Sequence, residues 1–303
     1  MTTYNTDGKV GSWAGEKLEC LAKYLNAYTT ILKEKSWCQG YYYVDAFAGA
    51  GRARIRTNPV AGKPEKTDLF GYVPETEAEQ QYLDGSPRVA LGIKHPFSAY
   101  LFIERDRTRL QELETLTAEF PDKNIRIRPG DANEILKTRL VSNPRIDWTR
   151  SRAVVFLDPF GMQVDWETLR CLAQTKAIEV IVNFPVGMAI QRLLEKTGSI
   201  TRARTARLNQ YFGTDEWKGV VYESRADFFG QETEKVSGSG DKLARWYSDR
   251  LRTEFGYTAV PRLIRNTRGA HLYYLIWAGP NATGRKIAAA VLAQGNRIRT
   301  IRH

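Results

Sequence analysis

The chain has 303 residues, 42% of them hydrophobic, and a formal net charge of +11. That is enough apolar surface for one large α/β domain or two small ones, and no apolar run approaches the ~20 residues of a membrane span. Three cysteines, Cys20, Cys38 and Cys171, are widely spaced and odd in number, which argues against a disulfide framework or a zinc site.

In chain order, Leu18, Leu21, Leu25, Tyr28 and Leu32 recur at helical spacing and predict a helix over 12–35, with Ser12 able to cap it. Tyr41-Tyr42-Tyr43-Val44-Asp45 predicts a strand entering a glycine turn. Residues 52–84 lack periodicity and read as a long functional or disordered loop. Ser86-Pro87 starts a helix to about 95. Ala99 to Glu104 reads as a strand, 106–119 as a helix, Ile125 to Arg128 as a strand and 132–140 as a helix. Ala153 to Asp158 and Ile178 to Asn183 are unbroken apolar strands, a sign of burial on both faces, with a helix over 166–175 between them. Residues 187–256 read as mostly helical and basic, broken by Ser/Gly at 237–240. Pro261 to Arg265 and His271 to Ala278 flank Asn266-Thr267-Arg268-Gly269 and predict a closing antiparallel hairpin. A last helix covers 283–294.

Strands alternating with helices imply a mostly parallel α/β sheet. The expected division is a sheet domain over 1–186 and 257–303, with a helical insertion over 187–256 as a substrate- or partner-binding subdomain. The first residues, Met1-Thr2-Thr3-Tyr4-Asn5, do not resemble a signal peptide, so a cytoplasmic protein with no membrane partner is expected.

Ligands of open parallel sheets sit beyond the carboxyl ends of the strands. Here four strands end in polar punctuation: Asp45-Ala46-Phe47-Ala48-Gly49-Ala50-Gly51, Glu104, Asp131-Ala132 and Asp158-Pro159-Phe160-Gly161. The glycines allow a tight turn and close approach of main chain to ligand. The dinucleotide pattern G-x-G-x-x-G fails, because Arg54 stands at the third glycine. Asp45 would also repel a pyrophosphate: two like charges ~4 Å apart interact by ~4 kcal/mol at an effective dielectric near 20. A carboxylate there suits a cation, and S-adenosylmethionine carries an ammonium and a sulfonium. Glu104 can accept hydrogen bonds from ribose hydroxyls. Asp131 can receive an adenine amino group or cap the following helix. The cofactor set is therefore Asp45, Phe47, Ala48, Gly49, Gly51, Glu104, Asp131 and Ala132.

The segments Asp45 to Gly51, Gly85-Ser86-Pro87, Ile103-Glu104 and Leu157 to Val164 together resemble a bacterial family, the three-Cys-motif partner proteins. The resemblance runs from the N-terminal helix to about residue 190 and, more weakly, over Tyr273 to Gly284. It implies a Rossmann-like class I methyltransferase fold and a three-Cys-motif protein as partner, and it leaves the substrate open.

Asp158-Pro159-Phe160-Gly161 stands where amino-methylating enzymes carry Asp/Asn-Pro-Pro-aromatic. There an acceptor side chain holds the amino group and an aromatic ring stacks on the base. Phe160 replaces the second proline and Gly161 the aromatic. Asp158, Pro159 and Phe160 are the expected acceptor-addressing residues, or else a strand end with a capping aspartate.

Basic residues surround this mouth. Arg52, Arg54, Arg56 and Arg192 are candidate substrate contacts. Arg202, Arg204 and Arg207 follow in the insertion and Arg297, Arg299 and Arg302 in the tail. Tyr211, Phe212, Trp217, Tyr222, Phe228 and Phe229 interleave with the insertion's arginines. Arginines with aromatics suit nucleic acid, or a solvated basic face over an aromatic core. Trp13 and Lys17, one helical turn apart, either close over the cofactor site or pack. His95, His271 and His303 form no ligand pair, so no metal is expected. The reading is an S-adenosylmethionine-dependent methyltransferase of nucleic acid, against two alternatives: a weakly catalytic partner module or a small-molecule methyltransferase.

Overall fold

A computed structural model describes residues 12–54, 82–190, 193–194, 200–227, 230–266 and 269–294. Five parallel strands form the centre of the sheet: β1 (Gly40–Asp45), β4 (Ala99–Glu104), β5 (Ile125–Pro129), β6 (Ser151–Leu157) and β7 (Ile178–Phe184). The long strand β12 (His271–Gly279) runs antiparallel beside β7 and carries β10 (Tyr257–Thr258) and β11 (Arg262–Arg265) on its outer edge. The order is β5-β4-β1-β6-β7-β12. This is the mostly parallel Rossmann-like sheet with a closing antiparallel hairpin expected from the sequence. β12 pairs with both β7 and β11, which explains its unbroken run of buried residues, Tyr273 to Gly279.

Helices cover both faces. On one lie α1 (Ser12–Leu32), α2 (Ser86–Leu91), α3 (Arg107–Glu119) and a C-terminal helix, Ala282–Gln294, packed on Tyr43, Phe102, Phe156, Ile181 and Trp277. The other face carries α4 (Ala132–Ile135), which continues as a π-helical turn (Leu136–Val141), and α5 (Trp166–Gln174). Also on it are α6 (Arg202–Phe212), α7 (Trp217–Val221) and α8 (Ser239–Phe255), packed on Val44, Val155, Val182 and Phe184. The C-terminal helix is α9.

α2 ends at Leu91, short of the expected 95: Gly92 closes the helix through its N–H to the Arg88 carbonyl. Within the long segment expected to be structureless, β2 (Arg52–Arg54) pairs antiparallel with β3 (Tyr82–Asp84). Within 187–256, expected to be mostly helical, α6, α7 and α8 are helices, but one stretch departs from that expectation. Residues 222–235 form a hairpin, β8 (Tyr222–Asp227) paired antiparallel with β9 (Gly230–Lys235). Tyr211, Phe212 and Trp217 are fully buried, and Tyr211 stacks on Tyr247 of α8 at 5.5 Å and 4°. These rings build the sheet's core and are closed to any base.

α1 is fastened at three points. Glu16 pairs with the buried Arg262 of β11, which also donates to the Leu292 carbonyl at 3.0 Å. Lys17 pairs with Asp158 beyond β6, and Tyr24 donates its hydroxyl to Glu179 of β7. Among the described residues, no helix is long and apolar enough to cross a membrane.

Candidate functional site

The chain leaves β1 for β4 and β5 on one side and returns to β6 and β7 on the other, so the order reverses between β1 and β6. Open α/β sheets bind ligands beyond such a switch point. There, side-chain alternation turns Asp45, Glu104, Asp158 and Asn183 to one face of the sheet, the face that α1 covers.

Asp45 ends β1 and is fully buried. Its carboxyl accepts from the Tyr43 hydroxyl at 3.2 Å, the Phe47 N–H at 3.4 Å and the Ser86 side chain. Burial pushes it up to about 7; the neighbouring Asp158 adds to the rise, and the hydrogen bonds oppose it. The following turn requires glycine, since Gly49 and Gly51 have φ of +62° and +74°. Among the described residues, a Cβ at Gly49 would meet nothing within 4 Å, so the space above it is open to them, whereas one at Gly51 would lie 3.1 Å from Leu116. Ala48 is buried, and Phe47 packs partly into the core.

Glu104 ends β4 and ties this turn to the next. Its Oε2 accepts from the Gly49 N–H at 2.9 Å, and its Oε1 from Arg105 and Asp106 N–H at 2.8 Å each. Asp131 accepts from the Glu134 N–H at 3.1 Å and caps α4, while Ala132 turns its methyl into the core. Asp131 stays exposed at the mouth of a cleft with Arg128 and Glu134.

On the other side of the switch point, Asp158 accepts from Asn183 Nδ2 at 2.6 Å on Oδ1 and from Lys17 on Oδ2. Lys17 Nζ also lies 5.5 Å from the centre of the Tyr273 ring, whose hydroxyl is raised above its ordinary value by burial first and by Asp158 second. Pro159 is buried, but Phe160 is 77% exposed, with the Arg109 guanidinium 4.8 Å over its ring.

Of the basic candidates, Arg207 is engaged: it bonds Asp165 at 3.2 Å and the Met162 carbonyl, bracing the loop after Asp158. Arg52 and Arg54 lie on β2. Arg56, Arg192, Phe228, Phe229 and the tail arginines lie outside the described residues. Asn183 was missed as a site residue. It ends an apolar strand in a polar group, the same signal that marked Asp45, Glu104 and Asp158. Ser86 carried no comparable signal, because only the tertiary fold brings it to Asp45, whereas Tyr43 reaches Asp45 from two residues earlier on the same face of β1.

No protein-family model matches the chain, and no curated protein is similar to it. Among solved structures, protein LPL1258 from Legionella pneumophila is similar at a TM-score of 0.48 and 12% identity, over 91% of each chain. The putative methyltransferase yhhF from Escherichia coli is similar at 0.32 and 12%, over 86% of this chain and 87% of that one. The N-terminal domain of EvdMO1 with SAH bound is similar at 0.33 and 10%, over 85% and 79%. Likenesses this distant say nothing of substrate.

Proposed function

We propose that the chain is an S-adenosylmethionine-dependent methyltransferase acting on nucleic acid. The observation that carries this reading is the cradle at the switch point: a buried acid, Asp45, an open left-handed glycine turn, and Glu104 bound to that turn. The donor set fits the cofactor. Asp45 offers a carboxyl to an ammonium. Three of roughly four lone-pair sites on Glu104 are taken by main-chain N–H groups, leaving room on Oε2 for a ribose hydroxyl. When bound, the cofactor supplies an electrophilic methyl group. Asp158 lies next along the row and addresses the acceptor. Phe160, exposed with the Arg109 guanidinium over one face of its ring, offers the other face to a base, and the net charge of +11 suits a polyanion.

One observation favours a second reading, a partner module for a three-Cys-motif protein. Both oxygens of Asp158 are already bonded within the chain, so the acceptor must displace or share a partner.

Thermal unfolding with S-adenosylmethionine or its demethylated product tests the cofactor. At about 100 times the dissociation constant a specific ligand adds ~2.7 kcal/mol, a rise of a few degrees. No rise at millimolar ligand overturns the reading. Transfer of labelled methyl to total RNA or DNA, lost in Asp158→Ala with cofactor binding kept, tests the acceptor. Cofactor binding and co-purification with the partner, without transfer, would favour the module.

A further inference from the structure

Buried polar atoms are almost always hydrogen-bonded, and one left without a partner costs about 1–3 kcal/mol. Asn183 is such a case. Its side chain is buried, its Nδ2 donates to Asp158 at 2.6 Å, and its Oδ1 has no partner. Among the described residues, the other buried unpartnered side-chain atoms belong to Tyr28, Arg88, Tyr211 and Tyr247, none of them at a strand's carboxyl end. The rest of β7 is apolar except Glu179, whose carboxyl is satisfied by Tyr24 and Asn281. Packing therefore gives no reason for an amide at 183, where a leucine or valine would cost less.

We infer that Asn183 is a second catalytic residue, which selects a primary amino group as the methyl acceptor. This rests on the methyltransferase reading above. Asp158 and Asn183 end adjacent parallel strands, point to the same face and are joined through Asn183 Nδ2 and Asp158 Oδ1, so one hydrogen-bonded pair carries both a carboxylate and an unspent amide oxygen. A hydroxyl has one hydrogen to give and satisfies only one of them. An –NH2 group has two, and donates one to each. Held so, its lone pair is directed away from both and toward the cofactor end of the row. In the transfer, that lone pair forms the new nitrogen–carbon bond as the carbon–sulfur bond breaks. The carbon–sulfur electrons go to sulfur, and the surplus proton passes to Asp158 and then to water. Oδ1 is closed off from solvent, so the acceptor enters with a side-chain movement at the Lys17–Asp158 pair; catalytic hydrogen bonds often form only in the complex.

The test uses the full chain and two ligands, S-adenosylhomocysteine and sinefungin, the analogue with an amine-bearing carbon in place of the methyl-sulfonium. Sinefungin sets an ammonium where the acceptor nitrogen and the methyl group meet. Calorimetry should show that Asn183→Leu loses about tenfold to a hundredfold in sinefungin affinity, the range of a hydrogen bond to a charged group. Affinity for S-adenosylhomocysteine should hold within about twofold, and Asn183→Asp should keep the preference for sinefungin. Should the leucine variant fail to fold, Asn183→Ala carries the same comparison. Equal losses for both ligands, or no loss for either, overturn the role of Asn183. Failure of S-adenosylhomocysteine to bind the unaltered chain overturns the cofactor reading instead.

Discussion

Two buried acids on the same face of the sheet, Asp45 and Glu179, are both pushed up to about 7 by burial, yet their surroundings differ. Glu179, near the amino end of β7, is closed in. Tyr24 and Asn281 donate to it, Trp277 donates to Tyr24 at 2.7 Å, and a Cβ at Gly284 would lie 2.6 Å from its Oε1. It knits α1, β7, β12 and α9 together. Asp45, at the carboxyl end of β1, faces a second acid and an open glycine turn. A raised carboxyl pKa marks burial; it marks a binding site only where open space adjoins it.

The sharpest way to break this comparison is to neutralise each acid in turn. Asp45→Asn should weaken S-adenosylmethionine binding about a hundredfold, the upper range for a hydrogen bond between charged groups. Glu179→Gln should leave it within about twofold. Titration calorimetry reads both, and an equal loss in the two variants would erase the distinction.

The next largest effect is on pH. Below about 7, a cation arriving at Asp45 must displace a proton, so cofactor affinity should fall up to about tenfold per pH unit on acidification. The groups facing Asp45 are the Tyr43 and Ser86 hydroxyls, the Phe47 N–H and Asp158. The slope should vanish in Asp45→Asn and survive in Glu179→Gln; a slope that persists without Asp45 assigns it to another group.

Stability without ligand should show both acids. Their folded values lie above their ordinary values of 3.8 and 4.5, so protonation favours the native state. The stabilisation is complete below about 4 and is lost as pH rises to about 7. With about 1.4 kcal/mol per pH unit, each acid costs on the order of a few kcal/mol at alkaline pH. Denaturant melts at pH 8 should therefore find Asp45→Asn more stable than the unaltered chain, and added cofactor should narrow the gap. An Asp45→Asn chain less stable than its parent at that pH would mean that the carboxylate is already compensated.

Much of this was legible in the sequence because it is local. Apolar strands ending in Asp45, Glu104 and Asp158 announce a parallel sheet and its ligand edge together. The hairpin of 222–235 was not, since Glu, Arg, Ala and Gln in that stretch are good helix formers and a polar strand shows itself only through its pairing. Lys17 meets Asp158 across 141 residues, a contact set by the docking of α1 through Glu16 and Arg262. In the sequence Asn183 is the end of a strand, and only the packed fold leaves its amide oxygen buried without a partner.

The smallest effect on stability is expected at Phe160, and the contrast is with Tyr211, Phe212 and Trp217. Those three rings are buried, whereas Phe160 is 77% exposed, with the Arg109 guanidinium over its ring. Phe160→Ala should change unfolding free energy by no more than about 0.5 kcal/mol. A base stacked on an aromatic ring is worth about 1–3 kcal/mol, so binding of single-stranded oligonucleotides should weaken at least about fivefold. Fluorescence anisotropy at fixed salt measures that loss. Unchanged oligonucleotide binding in the variant would remove Phe160 from the acceptor site and leave Asp158 and Asn183 to hold the acceptor without a stacking face.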